Sequence, residues 1–394
     1  MDENTDRSVE QFFTPGRAAS PPRALSGLLG QAGVQFNGEA RWDIRVHNPR
    51  LYTNILSRGS LGFGESYVAG DWDCTALDEL FERLLSVDID ERLGGWARLR
   101  LFGEVLRHRV FNLQSRQRAF RVAEQHYDIG NDIFEIMLDS SMSYSCGFWQ
   151  SADSLEQAQL DKLEMICQKL ELKRGESLLE IGCGWGGLAR YAADRYGVSV
   201  VGITVSKEQQ KLAQERCQGW PIDIRLMDYR DVQGRFDKLV SVGMFEHVGL
   251  KNYPAYFDAV SRLMKPDGLF LLHTIGNYKS TAGVDPWIER HIFPNGKLPS
   301  AQQLASALND RLLIEDWHNF GQDYDLTLQA WWERFDAAWP RLERSYDRHF
   351  YRMWKYYLMS CAGFFRSRQG QLWQLVLSKR DRKKVYRSMR PGTK

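Results

Sequence analysis

The chain reads as an α/β fold: a parallel sheet covered by helices on both faces, preceded by a smaller, helix-containing region. Between residues 154 and 275, apolar strand patterns alternate with amphipathic helical patterns, the arrangement of successive βαβ units. The first of these strands runs into LLEIGCGWGG (178–187), in which Glu180 is followed by alternating Gly182, Gly184 and Gly186. A strand turning sharply into a helix needs glycine there, because a Cβ would block the turn and the approach of a ligand. At 394 residues and 43% apolar content, the chain can hold about two domains with a full core.

In chain order, TPGRAASPPR (14–23) reads as a flexible lead-in. Residues 25–90 mix short apolar patches with turn signals at Asn48-Pro49 and Gly62-Phe63-Gly64, and the pattern does not fix their fold. Residues 91–124 are helical in pattern. Seven arginines fall between Arg98 and Arg121, beside an apolar stripe of Leu99, Phe102, Val105, Leu106, Val110 and Leu113. Such a helix is either a solvated surface element or one that rests on an anionic membrane, where charge and apolar contact add. The pattern alone does not separate the two. Strands are expected at 177–181, 198–203, 222–227, 236–242 and 268–275, with helices at 154–172, 186–196, 206–218 and 254–264. Residues 331–361 are helical and aromatic, with Trp331, Trp332, Phe335 and Trp339, then Tyr346, Phe350, Trp354, Tyr357 and Cys361. The basic tail 379–394 is expected to fray.

A net charge of +2 confines any basic surface to local patches. Six cysteines (Cys74, Cys146, Cys167, Cys183, Cys217, Cys361) form no CxxC pair, which suits reduced thiols, and no metal site is expected. No run of about 18 apolar residues occurs, and MDENTDRSVEQFF lacks the basic-then-apolar form of a signal peptide. The expectation is a soluble, cytoplasmic protein.

In parallel α/β sheets, ligands sit at the C-terminal ends of the strands. The acid followed by GxGxG at the first strand end is the form this loop takes in methyltransferases that use S-adenosylmethionine (SAM). Dinucleotide enzymes show GxGxxG and an acid about 20 residues on, whereas here the second strand ends in Thr204. Asp228, beside Tyr229 after the third strand, is either a turn cap or an acceptor for an adenine amino group. The fourth strand leads into GMFEHVG, with Glu246 and His247. Neither the Asn/Asp-Pro-Pro-aromatic motif nor the Pro-Cys nucleophile of DNA methyltransferases is present, so nucleic acid is dropped as a substrate. His273 ends the fifth strand, as a core histidine or as a group facing the same cleft as Glu246.

HYDIGNDIF from His126, MSYSCGFW from Met142, GQDYDLTLQAW from Gly321, DIRVHNPRLY from Asp43 and GSLGFGESYVAGDWDC from Gly59 complete the set. Together with the strand-end motifs, these runs resemble the cyclopropane-fatty-acyl-phospholipid synthases and their mycolic acid relatives over nearly the whole chain. The two N-terminal runs point to the phospholipid branch. The resemblance implies a Rossmann-like class I SAM methyltransferase domain over 124–394, an N-terminal lipid- and membrane-binding domain over 1–110, and a linker helix at 111–123. It also implies transfer of the SAM methyl carbon to a cis double bond in an unsaturated acyl chain of a membrane phospholipid, giving a cyclopropane ring.

Bound bicarbonate is implied as the base that takes the departing proton. Its cradle would be side chains of Glu246, His273 and Tyr324 and backbone groups of Cys146 and Ile275. Cys361 is expected to line the acyl site and not to act as a nucleophile, since methyl transfer to an alkene needs no thiolate. SAM contacts implied by the same resemblance are Glu180, Gly182, Cys183, Gly184, Trp185, Gly186, Gly187, Thr204, Ser206, Gln209, Asp228 and Tyr229. Tyr144 and Ser145 are expected against the methionine moiety, and residues 126–132 are expected to close over the cofactor. A homodimer, peripherally bound to the inner face of the membrane, is expected.

Overall fold

The computed structural model describes residues 20–87, 130–281 and 283–390. The arginine-rich stretch, the start of the HYDIGNDIF run and the expected domain boundaries lie outside the described residues.

The first described part holds α1 (Arg23–Gln31), β1 (Arg45–Val46), α2 (Arg50–Val68), β2 (Trp72–Asp73) and α3 (Leu77–Ser86). The glycine-rich run read as a turn lies inside α2. A break at Gly59 (φ 58°, ψ −134°) kinks the helix, and the glycines that follow serve close packing. A Cβ at Gly64 would sit 2.4 Å from the Trp287 ring, and one at Gly62 would sit 2.1 Å from the Asn54 carbonyl.

Next come α4 (Asn131–Met137), α5 (Leu155–Lys169), β3 (Ser177–Ile181), α6 (Gly187–Tyr196), β4 (Ser199–Thr204), α7 (Lys207–Arg216), β5 (Ile222–Leu226) and β6 (Phe236–Val242). They are followed by α8 (Tyr253–Leu263), β7 (Met264–Asn277), α9 (Pro286–His291), α10 (Ala301–Leu308), β8 (Leu313–Asn319), α11 (Asp323–Leu342), α12 (Arg348–Arg366) and β9 (Gly370–Ser378). The five expected strands are present, and two more, β8 and β9, complete the sheet. Its order is β5-β4-β3-β6-β7-β9-β8. Neighbours from β5 to β7 pair in parallel, and β9 runs antiparallel between β7 and β8.

Side chains alternate across this sheet into two cores, as period-2 strands require. Leu178, Leu271 and Val376 join Leu163, Ile166 and Leu188 on one face. Leu179, Leu272 and Leu375 join Phe257, Val260 and Leu304 on the other. The aromatic stretch is two helices rather than one: Asp347 caps α12 by accepting from the Phe350 amide at 2.8 Å. A third core joins α12 to the N-terminal elements, with Trp72, Leu77 and Leu80 packed among residues such as Trp354, Tyr356 and Phe365. Arg352 clamps this contact, donating to the carbonyls of Tyr67 (2.7 Å) and Trp72 (2.8 Å) and to Asp73 (2.7 Å).

As far as residue 390 the basic tail is anchored, which corrects the expectation that it frays. Arg382 pairs with Glu171 at 3.0 Å, Ser388 donates to Asp316 at 2.9 Å, and Arg390 pairs with Asp316. Charge that reads as solvated in sequence is instead paired with the buried Asp316 and the half-buried Glu171. No helix among the described residues is long and apolar enough to cross a membrane.

Candidate functional site

A cavity of about 200 Å³ opens at the C-terminal ends of β3, β4 and β6. Of the residues expected to hold SAM, Tyr144, Ser145, Glu180, Gly182, Cys183, Gly184, Trp185, Gly187, Thr204, Gln209, Asp228 and Tyr229 line it. Gly186 and Ser206 do not; they shape the loops behind it. Gly186 is left-handed (φ 82°) at the start of α6, and a Cβ there would lie 2.7 Å from the Cys217 sulfur. Ser206 caps α7 by accepting from the Gln209 amide at 3.2 Å. Thr204 donates to the Gln209 side-chain oxygen at 2.8 Å, which leaves the Gln209 NH₂ as the free end. Asp228 caps the following 3₁₀ turn through the Arg230 amide at 3.0 Å and also lines the cavity, so the two readings of this residue are compatible.

Glu180 carries an oxygen, Oε2, that is buried without a hydrogen-bond partner. Burial raises its pKa to about 8, partly offset by Lys162. Lys162 lies in the same wall, donates to the Ser145 hydroxyl at 3.0 Å, and is pushed down to about 8 by burial. A buried acceptor beside a buried cation suits a zwitterion such as the methionyl end of SAM, and nothing in the protein comes within 4 Å of a Cβ built on Gly184. The residues present fit the cofactor.

Behind this cavity lies a second cluster. Glu246, in a 3₁₀ turn after β6, accepts from the Ile275 amide at 2.6 Å through Oε1, while its Oε2 is buried without a partner. Burial raises the Glu246 pKa to about 7, against the lowering effect of the Ile275 hydrogen bond. His273 lies two residues before Ile275 on β7, so both project from the same face. Its Nδ1 is 3.2 Å from the Gln374 amide nitrogen, and its Nε2 is buried and unpartnered. Burial holds His273 neutral, its pKa well below the ordinary value, with Lys162 and Lys169 adding to the effect. Tyr324 lies within electrostatic reach of Cys146, Glu246, Tyr144 and Cys361, and its ring packs on Phe365 at 4.4 Å and on Trp331 at 6.1 Å.

The Cys146 sulfur turns away toward the Gly147 carbonyl (3.1 Å) and Thr327 (3.7 Å). Burial pushes the Cys361 thiol up to about 12, so both sulfurs are protonated at neutral pH and neither is poised as a nucleophile.

The family model "Mycolic acid cyclopropane synthetase" matches residues 114–375. The cyclopropane-fatty-acyl-phospholipid synthase of Escherichia coli K12 is 54% identical over 359 residues, covering 91% of this chain and 93% of that enzyme. The chain belongs to the cyclopropane synthase family. It is a SAM-dependent methyltransferase. The cyclopropane synthase MmaA2 of Mycobacterium tuberculosis superposes with a TM-score of 0.62 at 29% identity, covering 66% of this chain and 98% of that one. A second mycolic acid cyclopropane synthase, CmaA1, was solved with S-adenosylhomocysteine and CTAB and gives a TM-score of 0.61 at 29% identity, with the same coverage.

In this cyclopropane synthase, sequence reasoning missed Lys162, Lys169 and Gln374. A lysine within a helical pattern reads as a solvated face, and nothing local marks these two as buried. Gln374 becomes visible only once β9 is placed against β7.

Proposed function

We propose that the protein is a cyclopropane-fatty-acyl-phospholipid synthase, converting a cis double bond in a phospholipid acyl chain into a cyclopropane ring with bicarbonate as the base. The observation that carries this reading is a pair of unpartnered buried polar atoms, Glu246 Oε2 in the turn after β6 and His273 Nε2 on the neighbouring strand β7. Buried polar groups are normally hydrogen-bonded, so two orphans at one site mark the place of a small polar ligand. Bicarbonate fits, because a neutral His273 offers an N–H and a carboxyl with a pKa near 7 can also donate. Tyr324 adds a hydroxyl. The Ile275 amide serves through Glu246, which it orients, and Cys146 contributes backbone.

Glu180, Thr204, Gln209, Asp228, Tyr229 and the glycine loop would hold SAM, with Tyr144, Ser145 and Lys162 toward its methionyl end. When bound, SAM supplies an electrophilic methyl carbon. The protein holds the alkene in line with that carbon, and positioning of this kind is worth up to ~7–11 kcal/mol. The faces of Tyr324, Trp331 and Phe365 can stabilise positive charge developing on the acyl chain, at ~1–2 kcal/mol per desolvated ring. Glu246, His273 and Tyr324 keep the proton acceptor dry and oriented, an electrostatic preorganisation.

Residues 1–110 are assigned to lipid engagement and 124–394 to catalysis. The enzyme works as a homodimer on the cytoplasmic face of the membrane. Incubation with SAM and vesicles of monounsaturated phospholipid should remove the olefinic proton signals and give cyclopropyl ones. A methylene or methyl branch in the product overturns ring formation. Activity should rise with anionic lipid content, and Arg107→Ala combined with Arg109→Ala should weaken both vesicle sedimentation and its salt dependence. Equal sedimentation of parent and variant removes the arginine stretch from membrane binding.

A further inference from the structure

His273, Gln374 and His318 lie side by side across three strands, since His273 pairs with Gln374 in the β7–β9 register and His318 with Gln374 in the β8–β9 register. Lys169, the last residue of α5, reaches this row. Its ammonium donates to the Gln374 side-chain oxygen at 2.8 Å and to His318 Nδ1 at 2.9 Å, with Asp316 at 3.8 Å. Lys169 and Gln374 are both fully buried.

These contacts have one consistent proton arrangement. A lysine ammonium can only donate, so with Lys169 charged the Gln374 oxygen faces Lys169 and the Gln374 NH₂ faces His273. That NH₂ donates to Nδ1 at 3.2 Å, which makes Nδ1 an acceptor and leaves the proton of the neutral ring on Nε2. Nε2 is the buried, unpartnered atom beside the Glu246 cluster. The arrangement holds while Lys169 is an ammonium, a form that Asp316 at 3.8 Å favours against the burial that lowers its pKa to about 7. The charged groups acting on this row are Lys162 and Lys169 on His273, and Asp316 and Arg390 on Lys169.

We propose that Lys169 and Gln374 are positioning residues that hold the His273 proton on Nε2 and aim it into the reaction site. The proposal rests on the reading of His273 as a donor to the bound base. A wrong tautomer would present a lone pair to an anion, and disruption of an outer partner of this kind costs about 10- to 100-fold in activity.

The test is ¹⁵N NMR of histidine-labelled full-length enzyme, with the His273 signal assigned through His273→Gln, alongside kinetics. The parent should show a protonated Nε2 and an unprotonated Nδ1. Gln374→Glu keeps the shape but turns the donor into an acceptor, so the proton should move to Nδ1 and kcat should fall about 100-fold, with SAM affinity unchanged. Lys169→Met frees the amide to flip; it should give a mixture of tautomers and a smaller loss, so the question stays open to test if the first variant does not fold. An Nε2 proton that persists in the folded variants, or an unchanged kcat, overturns the proposal. Full activity of the parent in carbonate-free buffer overturns the bicarbonate reading instead, and the NMR result is independent of it.

Discussion

Replacing Glu246 by Ala should cut turnover by about 10²- to 10³-fold while SAM affinity stays within about twofold of the parent. Glu246 does not line the cofactor cavity; its carboxyl accepts from the Ile275 amide, keeps a second oxygen that is buried without a partner, and lies within electrostatic reach of Tyr324. On the proposed reading, such a group acts in the transition state and leaves cofactor binding alone. Tyr324→Phe should show the same split with a smaller loss, because it removes one hydroxyl and keeps the ring on Phe365. Added bicarbonate should partly restore Glu246→Ala by mass action, since His273 and Tyr324 remain. The check is single-turnover kinetics in carbonate-depleted and carbonate-supplemented buffer, beside calorimetry for SAM. No rescue, together with a parent that needs no carbonate, would leave Glu246 itself as the base.

The pH profile separates the same two accounts by sign. Burial places the Glu246 pKa at about 7, above its ordinary value, so near neutrality the carboxyl is poised between its two forms. If it donates to a bound anion, the neutral form is the competent one. At a fixed bicarbonate concentration, anion affinity should then fall as pH rises through about 7. If Glu246 is the base, the ionised form is competent and kcat should rise through the same window. Folding linkage runs in a fixed direction either way. A raised carboxyl pKa means that the folded state holds the proton more tightly between the ordinary carboxylate pKa and about 7. This contribution is therefore present at low pH and is lost as pH rises across that window.

The parallel part of the sheet was legible because its strands are buried on both faces and separated by helices, so LLEI, VVGIT and FDKLVSV stand out as apolar runs. Glu246 and His273 were legible because they stand in or just after strands at the end where ligands sit, whereas Cys146 on a loop, Tyr324 on α11 and Cys361 on α12 came only with the family resemblance. β9 was not read, since an apolar run after an aromatic helix does not announce that it will insert antiparallel between β7 and an edge strand. β8 was hidden for a different reason: Leu313 and Ile314 are exposed at 48% and 42%, so it lacks the buried pattern of the others. In α2, Gly62 and Gly64 look like turn punctuation, yet they serve close approaches, one to the Asn54 carbonyl eight residues back across the Gly59 kink and one to Trp287, far away in sequence. Burial of Lys162 and Lys169 is likewise a tertiary fact. Each is one lysine in the helix 155–169, and only the sheet beneath turns it inward.

Gly184→Val should abolish measurable SAM binding, at least a 100-fold loss, and leave the protein folded. Gly184 lies in the turn between β3 and α6 with φ 52°, and no protein atom lies within 4 Å of a Cβ built there. A side chain added there therefore starts in open space on the wall of the cavity, which is the space the cofactor needs on the proposed reading. The backbone cost of a left-handed β-branched residue is about 1–2 kcal/mol, small beside the ~5–15 kcal/mol that holds a domain together. Strain alone must still be excluded as the cause of any lost affinity. Gly219→Val supplies that control. Gly219 also has a positive φ of 86° and open space around its Cβ, but it is exposed and does not line the cavity. Urea denaturation should show similar stability losses for the two variants, while calorimetry should show lost SAM binding only for Gly184→Val. An affinity within about threefold of the parent in Gly184→Val would take the glycine loop out of the cofactor site. The buried Glu180 oxygen would then need another partner.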